Sequence, residues 1–179
     1  MITDLAQAIK RCSKPETVAL LVVRDANNKR INIMPIGWKM WTSAKPRMLA
    51  FSLSQGHYSH YLLLQERECV LAWPSRDMLE GILTCGSVTG RSTDKLALTG
   101  WKTSPAHFVN AHLIDDCIVN LECRVTESFE TGDHTLMICE VLEGHLGNDE
   151  SRVIFTLTDE AHFNHIGHGK GYKFGTFQK

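Results

Sequence analysis

The stretch that most constrains the fold is CIVNLECRVT, residues 117–126, in which apolar and polar residues alternate. A period of two predicts a β-strand with one buried face and one face in water. The face expected to be buried carries Cys117, Val119, Leu121, Cys123 and Val125, and the face expected to be wet carries Asn120, Glu122, Arg124 and Thr126, with Ile118 as the exception. ETGDH then predicts a turn, and HTLMICEVLEGHL returns as the partner strand. An antiparallel hairpin is therefore expected in the second half of the chain.

The first half of the chain carries shorter elements of both types. Apolar, β-branched runs predict strands at TVALLVVRD (17–25), RINIMPIGW (30–38), RMLAFSLS (47–54) and CVLAWPS (69–75). Asn27-Asn28 is expected to take left-handed turn geometry, and Pro35 and Gly37 exclude a regular central strand. Helices are predicted at the N-terminus and at SHYLLLQERE, RDMLEGILTCG and DKLALTG. Short helices inserted between strands favour an antiparallel barrel over a parallel βαβ sheet.

Length and composition narrow the class of protein. The 179 residues, 43% hydrophobic and 22% charged, are consistent with one folded domain spanning 1–179. The net charge of −1 argues against a protein that coats nucleic acid or an anionic membrane. No run is apolar enough to span a bilayer, and the N-terminus lacks the hydrophobic stretch of a signal peptide. We therefore expect a cytoplasmic protein whose six cysteines, none in a C-x-x-C pair, are mostly buried free thiols.

The segment SLSQGHYSHYLLLQE, residues 52–66, places hydrogen-bonding groups where a helix is about to begin. The first N–H groups of a helix are unpaired and carry a partial positive charge, which suits an anion such as phosphate. Ser59 can add a hydroxyl, and His57 and His60 can add ring N–H donors. The alternative is that Ser59 simply caps the helix.

A second polar loop, SVTGRSTDK at residues 87–95, could face the same ligand. Gly90 permits close backbone approach, and Arg91 and Lys95 could meet a phosphate. The alternative is that Ser92 or Thr93 caps the next helix. The loop is not a P-loop, and no G-x-G-x-x-G follows a strand, so no Rossmann dinucleotide site is indicated.

Two further features point to a flat ligand. In NIMPIGWKMWTSAKP, a strand broken by Pro35 and Gly37 exposes backbone groups beside Trp38 and Trp41, which could grip a heterocycle. An irregular edge strand with two packing tryptophans is the alternative. His134 follows a Gly-Asp turn, where a histidine is usually a surface residue but could supply a proton beside a redox heterocycle.

Metal and hydrolase chemistry find little support. The spacing of three in HFNHIGHG does not align its histidines on one helix face, and the glycines around them disfavour a helix, so no metal site is expected there. No nucleophile motif of a serine or cysteine hydrolase occurs.

In their order and spacing, these segments resemble the flavin reductase-like, FMN-binding split-barrel family, which includes the flavoredoxins. The matching stretches are NIMPIGWKMWTSAKPRMLAFSL, GHYSHYLL, ECVLAWPSRDMLEGILTCGSVTGRSTDKLALTG, CIVNLECRV, GDHTLMICEV and GHGKGYKFG. The resemblance implies a mainly β fold, namely a six-stranded antiparallel split barrel with Greek-key character and short peripheral helices. It also implies a homodimer with FMN near the subunit interface.

The resemblance also implies a set of site residues. The segment along the isoalloxazine ring would be Asn32, Ile33, Met34, Pro35, Ile36, Gly37 and Trp38, with Lys39 as a weaker candidate. Ser52, Leu53 and Ser54 would lie under the flavin tail, and Tyr58, Ser59 and His60 would meet the phosphate. Ser87, Gly90, Asp94 and Lys95 would form a second wall, and His134 would be the catalytic residue near the reactive face.

Two functions follow from this resemblance, and a third belongs to a different class. The first is an NAD(P)H-dependent flavin reductase in which the nicotinamide stacks on the flavin. The second is a flavoredoxin-like carrier that exchanges electrons with protein partners. The third is a module that binds another phosphorylated ligand without redox chemistry. The chain departs from the family pattern at Lys45-Pro46-Arg47, where a Pro-Pro pair is frequent, and at Thr89-Gly90-Arg91-Ser92, where Ser-Gly-Arg-Asp is frequent.

Overall fold

The structure, a computed structural model, describes residues 4–147, 153–157, 163–169 and 172–177. The strands are β1 (Glu16–Thr17), β2 (Ala19–Asp25), β3 (Arg30–Ile36), β4 (Lys39–Ala44), β5 (Arg47–Ser54), β6 (Glu68–Pro74), β7 (Thr103–Pro105), β8 (His112–Ile114), β9 (Cys117–Thr131), β10 (His134–Leu146), β11 (Phe155–Leu157), β12 (Phe163–Gly169) and β13 (Tyr172–Phe177). The helices are α1 (Leu5–Cys12), α2 (Tyr58–Glu66), α3 (Leu79–Ser87) and α4 (Lys95–Thr99), and a 3-10 turn spans Arg76–Met78.

The strands form a large antiparallel sheet with two smaller ones. The seven-stranded sheet has the order β3-β2-β6-β9-β10-β5-β4, a second sheet has the order β1-β11-β13-β12, and β7 pairs with β8. The mainly β, antiparallel class is confirmed. The number of strands differs from the six expected, partly because β4 was missed. All six residues of β4 are exposed or half-buried without regular alternation, since an edge strand in solvent needs no apolar face. Closure of the barrel stays a prediction.

The predicted hairpin is confirmed as β9 and β10, joined at Gly132 and Asp133. Gly132 has φ +60°, a left-handed conformation that favours glycine in a tight turn. The expectation that Asn120 and Glu122 face water is wrong: both are buried. The β7–β8 region covers them, with Asn120 bonding the backbone of Ile114 and Glu122 accepting backbone N–H groups from the loop between these strands.

The core lies on both faces of the large sheet. Leu20 and Val22 of β2 pack in a cluster with Ile82 of α3, whereas Leu21 and Val23 pack in a second cluster with Leu62 of α2. This burial on both faces explains why the β2 sequence is a continuous apolar run. The first turn of α2 and the last turns of α3 line the cleft described below.

Several smaller expectations can be compared with the structure. Five cysteines are buried free thiols and Cys12 is exposed, as predicted. The left-handed turn residue is Lys29, with φ 59°, instead of Asn27 or Asn28. Asn28 accepts the N–H of Arg30 instead. In the described parts of the chain, no helix has the length and apolarity needed to cross a membrane. In the tail segments singled out above, His162, Lys170 and Gly171 lie outside the described residues.

Candidate functional site

A cleft of about 620 Å³ opens where the end of β3, the end of β5, the start of α2 and the loop after α3 meet. The pairing of β10 with β5 places His134 opposite Ser54 and so brings the hairpin turn to the same place. The predicted residues that line the cleft are Asn32, Met34, Pro35, Ile36, Gly37, Trp38, Ser52, Leu53, Ser54, Tyr58, Ser59, Ser87, Gly90, Lys95 and His134. Tertiary structure thus gathers residues from five separate segments.

The first turn of α2 opens onto this cleft. Gly56, His57, Tyr58 and Ser59 all line it, and the side chain of His57, the N-cap residue, makes no capping hydrogen bond. Because the first N–H groups of a helix have no intrahelical acceptor, this end presents donors and a partial positive charge to the cleft. The interpretation of Ser59 as the cap is wrong, since Ser59 lies inside the helix.

Ser59 instead belongs to a buried pair. The residue is only 2% exposed, and its hydroxyl accepts a hydrogen bond of 2.7 Å from Nδ2 of Asn32 on β3. The Ser59 hydroxyl therefore keeps its own hydrogen to donate. Oδ1 of Asn32 is, among the described residues, the one buried side-chain polar atom without a hydrogen-bond partner. A buried acceptor without a partner is costly, so Asn32 is suited to receive a donor from a bound molecule.

His60 lies outside the cleft, which corrects its assignment to the phosphate. Its Nε2 lies 2.8 Å from Oγ1 of Thr135 on β10, and burial lowers the pKa of the ring. The ring on the cleft side is His57, which the sequence interpretation mentioned as a possible donor but did not include among the site residues. Burial, with the nearby charges of His134 and Lys95, lowers the pKa of His57.

Tyr58 is tied to the turn after β2. Its hydroxyl donates a hydrogen bond of 2.5 Å to Oδ2 of Asp25. This bond to the carboxylate, together with burial, raises the pKa of Tyr58 to about 12. The guanidinium of Arg91 lies 4.9 Å from the centre of the Tyr58 ring, while the Tyr61 ring stacks on Tyr58 from α2. Arg91 is thereby held near the first turn of α2 by cation–π contact.

Lys95 supplies a buried positive charge to the cleft wall. It is 4% exposed, and its ammonium donates to the carbonyl oxygens of Ile33 at 2.7 Å and Cys85 at 2.8 Å. No carboxylate within the described ranges forms an ion pair with it. Burial lowers the pKa of Lys95. A cation held only by carbonyl dipoles can also pair with an anion in the cleft.

The remaining residues of the second wall have different positions. Gly90 lies against Asn32 so closely that a Cβ on Gly90 would stand 1.9 Å from Oδ1 of Asn32. Ser87 lines the cleft but donates its hydroxyl to the carbonyl of Leu83 at 2.6 Å. Asp94 lies outside the cleft, and its carboxylate caps α4 by accepting the N–H of Ala97. The residue that caps α4 is thus Asp94, whereas the alternative considered from the sequence named Ser92 or Thr93.

Two residues predicted to lie along the ring, Ile33 of β3 and Lys39 of β4, also depart from expectation. Ile33 is fully buried in the core and contributes only its carbonyl, to Lys95. Lys39 points away from the cleft and donates to the carbonyls of Thr17 and Gly37. Burial lowers the pKa of Lys39 to about 8, with the carboxylate of Glu16 acting in the opposite direction. Lys39 therefore closes the bend after β3 instead of lining the cleft.

His134 and Trp38 stand together at the cleft. Their ring centres are 4.9 Å apart, and Nδ1 of His134 lies 2.6 Å from Oδ1 of Asp133. The Trp38 side is open, with 57% of the residue exposed. The bond from His134 lowers the pKa of Asp133. The pair presents a flat aromatic surface beside an imidazole whose orientation is set by a carboxylate.

The sequence interpretation missed several residues that line the cleft. These are Lys14, Glu16, Val18, Gly56, Ile82, Leu83, Cys85, Gly86, Val88, Thr89, Thr156 and Phe174, besides His57. Gly56 and His57 lie within the segment 52–66 that the sequence analysis had singled out. The junction of strand and helix in that segment was therefore the available signal for including them. No local pattern marks Lys14, Thr156 or Phe174, which only the packing of the second sheet brings to this place.

Comparison with known proteins identifies what this arrangement is similar to. The family model described as the flavin reductase like domain matches residues 12–163. An uncharacterized protein of Archaeoglobus fulgidus is 32% identical over 111 residues, which span 62% of this chain and 63% of that protein. The chain thus aligns with slightly less than two thirds of the length of this relative.

Two solved structures share the fold. The flavoredoxin of Desulfovibrio vulgaris (Miyazaki F) superposes with a TM-score of 0.78 at 20% identity, covering 94% of each chain. The NADH:FAD oxidoreductase SgcE6 of Streptomyces globisporus C-1027 superposes with a TM-score of 0.75 at 15% identity, covering 87% of this chain and 92% of that one.

Proposed function

Because the chain belongs to the flavin reductase-like family, we propose that it binds FMN in the cleft and acts as an NAD(P)H-dependent flavin reductase. A flavin-related redox role follows from the family itself. The observation that carries the finer proposal is the buried pair of Asn32 and Ser59, with its unpartnered Oδ1, beside the open first turn of α2.

The residues present fit the phosphate end of this cofactor. The first turn of α2 offers backbone N–H donors, and the Ser59 hydroxyl offers a further donor. Lys95 adds a buried positive charge that no described carboxylate neutralises. We propose Ser59, Tyr58, His57 and Lys95 as the residues that hold the phosphate side.

The β3 side of the cleft fits a planar ring. This side combines apolar side chains with backbone groups at the edge of the sheet, and it is lined by Met34, Pro35, Ile36, Gly37 and Trp38. We propose that Oδ1 of Asn32, a buried acceptor without a partner in the described chain, accepts a hydrogen bond from the bound flavin. A bound flavin supplies the hydride and electron chemistry, and the protein supplies binding, orientation and electrostatics.

His134 is the proposed catalytic residue. It lies in the cleft with its side chain 22% exposed, and Asp133 holds its Nδ1. An imidazole in this position can donate a hydrogen bond to the substrate or transfer a proton at Nε2. The nicotinamide donor would enter the same cleft beside Trp38, which is consistent with the lack of a G-x-G-x-x-G motif.

The test is the visible spectrum of the freshly purified protein, followed by anaerobic addition of NADH and then NADPH. We expect a yellow protein, or one that takes up added FMN, whose absorbance near the flavin maximum bleaches with one of the two nucleotides. A protein that neither carries nor takes up FMN would contradict the proposal and favour a module that binds another phosphorylated ligand.

A second candidate is an electron carrier between proteins. Trp38, Met40 and Trp41 are all more than half exposed and follow one another at the rim of the cleft and along the edge strand β4. An apolar rim of this kind supports docking of a protein partner. Reversible reduction by dithionite, with no reduction by either nucleotide, would favour this role.

We also propose the homodimer implied by the family, which light scattering of the purified protein tests directly.

A further inference from the structure

A second cluster of chemically competent side chains lies outside the cleft. Glu122 on β9, His145 on β10 and His107 in the loop between β7 and β8 place one ligand atom each within 4.8 Å of one another. Nε2 of His145 lies 2.7 Å from Oε1 of Glu122, and the two imidazole centres are 5.0 Å apart. None of these three residues lines the cleft.

One role of Glu122 is structural. Its carboxylate is fully buried and accepts the backbone N–H groups of His107 at 2.8 Å and Phe108 at 2.6 Å. Burial opposes ionisation, but these N–H donors and His145 outweigh it and lower the pKa of Glu122. The carboxylate thus anchors the loop after β7 to the hairpin.

Anchoring the loop does not account for the two imidazoles. Oε2 of Glu122 accepts one hydrogen bond, so it has an acceptor position to spare. Within the described part of the chain, the ring of His107 makes no hydrogen bond, and its ring contacts are with Phe108, at 6.5 Å between centres, and with His145, at 5.0 Å. His145 is 21% exposed in its side chain and His107 is exposed, which leaves an entry path from solvent.

We propose that His107, Glu122 and His145 bind a divalent first-row transition metal, represented by Zn²⁺, at this surface. Two imidazoles and one carboxylate are a ligand set that Zn²⁺ accepts, with a fourth position left for water. The buried carboxylate supplies negative charge, while the nearby cation, Arg124, pairs with Glu68 and the carbonyl of Phe108. The ligands come from one loop and two strands, so the metal clamps the loop onto the hairpin.

The experiment uses the untagged full-length protein after removal of metal with a chelator. Zn²⁺ is titrated in competition with a chromophoric chelator, and Co²⁺ serves as a spectroscopic probe of coordination. The variants are His107→Ala and His145→Ala. The matched control is His165→Ala, because the exposed His165 and His168 rings lie 4.2 Å apart and form the competing histidine pair.

We expect one equivalent of Zn²⁺ and a rise in the thermal unfolding midpoint on metal addition in the native protein and in His165→Ala. In His107→Ala the affinity should fall by more than the roughly 10–100-fold that loss of a supporting contact causes. If His145→Ala does not fold, His107→Ala decides the test. The ring of His107 makes no hydrogen bond within the described chain, so its removal should leave the fold intact. Absence of Zn²⁺ binding, or binding lost in His165→Ala and kept in His107→Ala, overturns the proposal.

Discussion

The side-chain amide of Asn32 on β3 donates to the buried hydroxyl of Ser59 in the first turn of α2, at 2.7 Å. This contact joins the strand that lines one wall of the cleft to the helix that lines another. Removing the hydroxyl in Ser59→Ala leaves Nδ2 of Asn32 unpaired, which should cost about 1–3 kcal/mol of unfolding free energy. Urea unfolding of the flavin-free protein measures this.

Ser59→Ala should also weaken FMN binding, because the Ser59 hydroxyl has a hydrogen free to donate to the phosphate. Fluorescence titration of the flavin gives the dissociation constant, with Ser13→Ala, an exposed serine after α1, as the control. A Ser59→Ala protein with lowered stability but unchanged FMN affinity would limit Ser59 to a structural role.

Gly90 and Gly56 provide a matched pair of glycine substitutions. A Cβ on Gly90 would meet Oδ1 of Asn32 at 1.9 Å, whereas a Cβ on Gly56 would meet nothing within 4 Å. Gly90→Ala should therefore displace Asn32, cost about 1–3 kcal/mol and weaken FMN binding. Gly56→Ala should change the stability little, and because Gly56 lines the cleft it serves as a control for stability alone. Calorimetry compares the two variants, and equal effects on stability would contradict the steric argument.

Lys95→Met tests the buried positive charge. The substitution keeps an apolar stem but leaves the carbonyls of Ile33 and Cys85 without their donor, at a cost of about 1–3 kcal/mol. We expect FMN affinity to fall as well, because the charge facing the cleft is lost. Lys102→Met, at an exposed lysine, controls for the change of side chain. Native FMN affinity in Lys95→Met would remove Lys95 from the proposed phosphate site.

The Tyr58–Asp25 hydrogen bond predicts a defined pH dependence. Burial raises the pKa of Asp25, but the bonds from Tyr58 and Asn27 outweigh it, so the pKa lies below its ordinary 3.8. Its contribution to stability is present above that value and is lost as pH falls through the lower folded pKa. The pKa of Tyr58 is raised from 10.0 to about 12, so its contribution is present below pH 10 and is lost as pH rises towards 12.

Tyr58→Phe removes the contribution of Tyr58 and the part of the Asp25 contribution that comes from the Tyr58 hydroxyl, while the bonds from Asn27 remain. The difference in unfolding free energy between the native protein and Tyr58→Phe should be constant from about pH 5 to 9 and should shrink at both extremes. Chemical unfolding at a series of pH values measures it, with Tyr61→Phe, which keeps the stacked ring, as the control. A difference that does not vary with pH would show that the bond is unimportant in solution.

His134→Phe separates flavin binding from catalysis. The variant keeps a ring beside Trp38 but removes the imidazole nitrogens. If His134 acts as an acid or base, the rate of flavin reduction by the nicotinamide should fall by roughly 10²-fold, with FMN affinity nearly unchanged. Stopped-flow reduction by NADH and by NADPH measures this rate, and an unchanged rate in His134→Phe would remove His134 from the proposed catalytic role. Asp133→Asn, which weakens the bond at Nδ1, should have a smaller effect.

The local pattern predicted the secondary structure well where one face of an element is buried. RMLAFSLS coincides with β5, and the predicted hairpin coincides with β9 and β10. The pattern failed where polar residues are buried through specific bonds, as at Glu122, because hydropathy alone does not reveal a partner from a distant loop. It also failed at β4, an edge strand on which solvent imposes no alternation.

By itself the sequence determined the mainly antiparallel β class and the strand-to-helix junction at Gly56–Ser59, because these depend on local periodicity and helix ends. The family was recognisable from the resemblance in the order and spacing of the motifs. Only tertiary structure decided which side chain at that junction faces which way. Ser59 meets Asn32 in the cleft wall, while His60, one residue later, turns to Thr135. On a helix, successive residues point about 100° apart, so their destinations depend on which strands pack against each face.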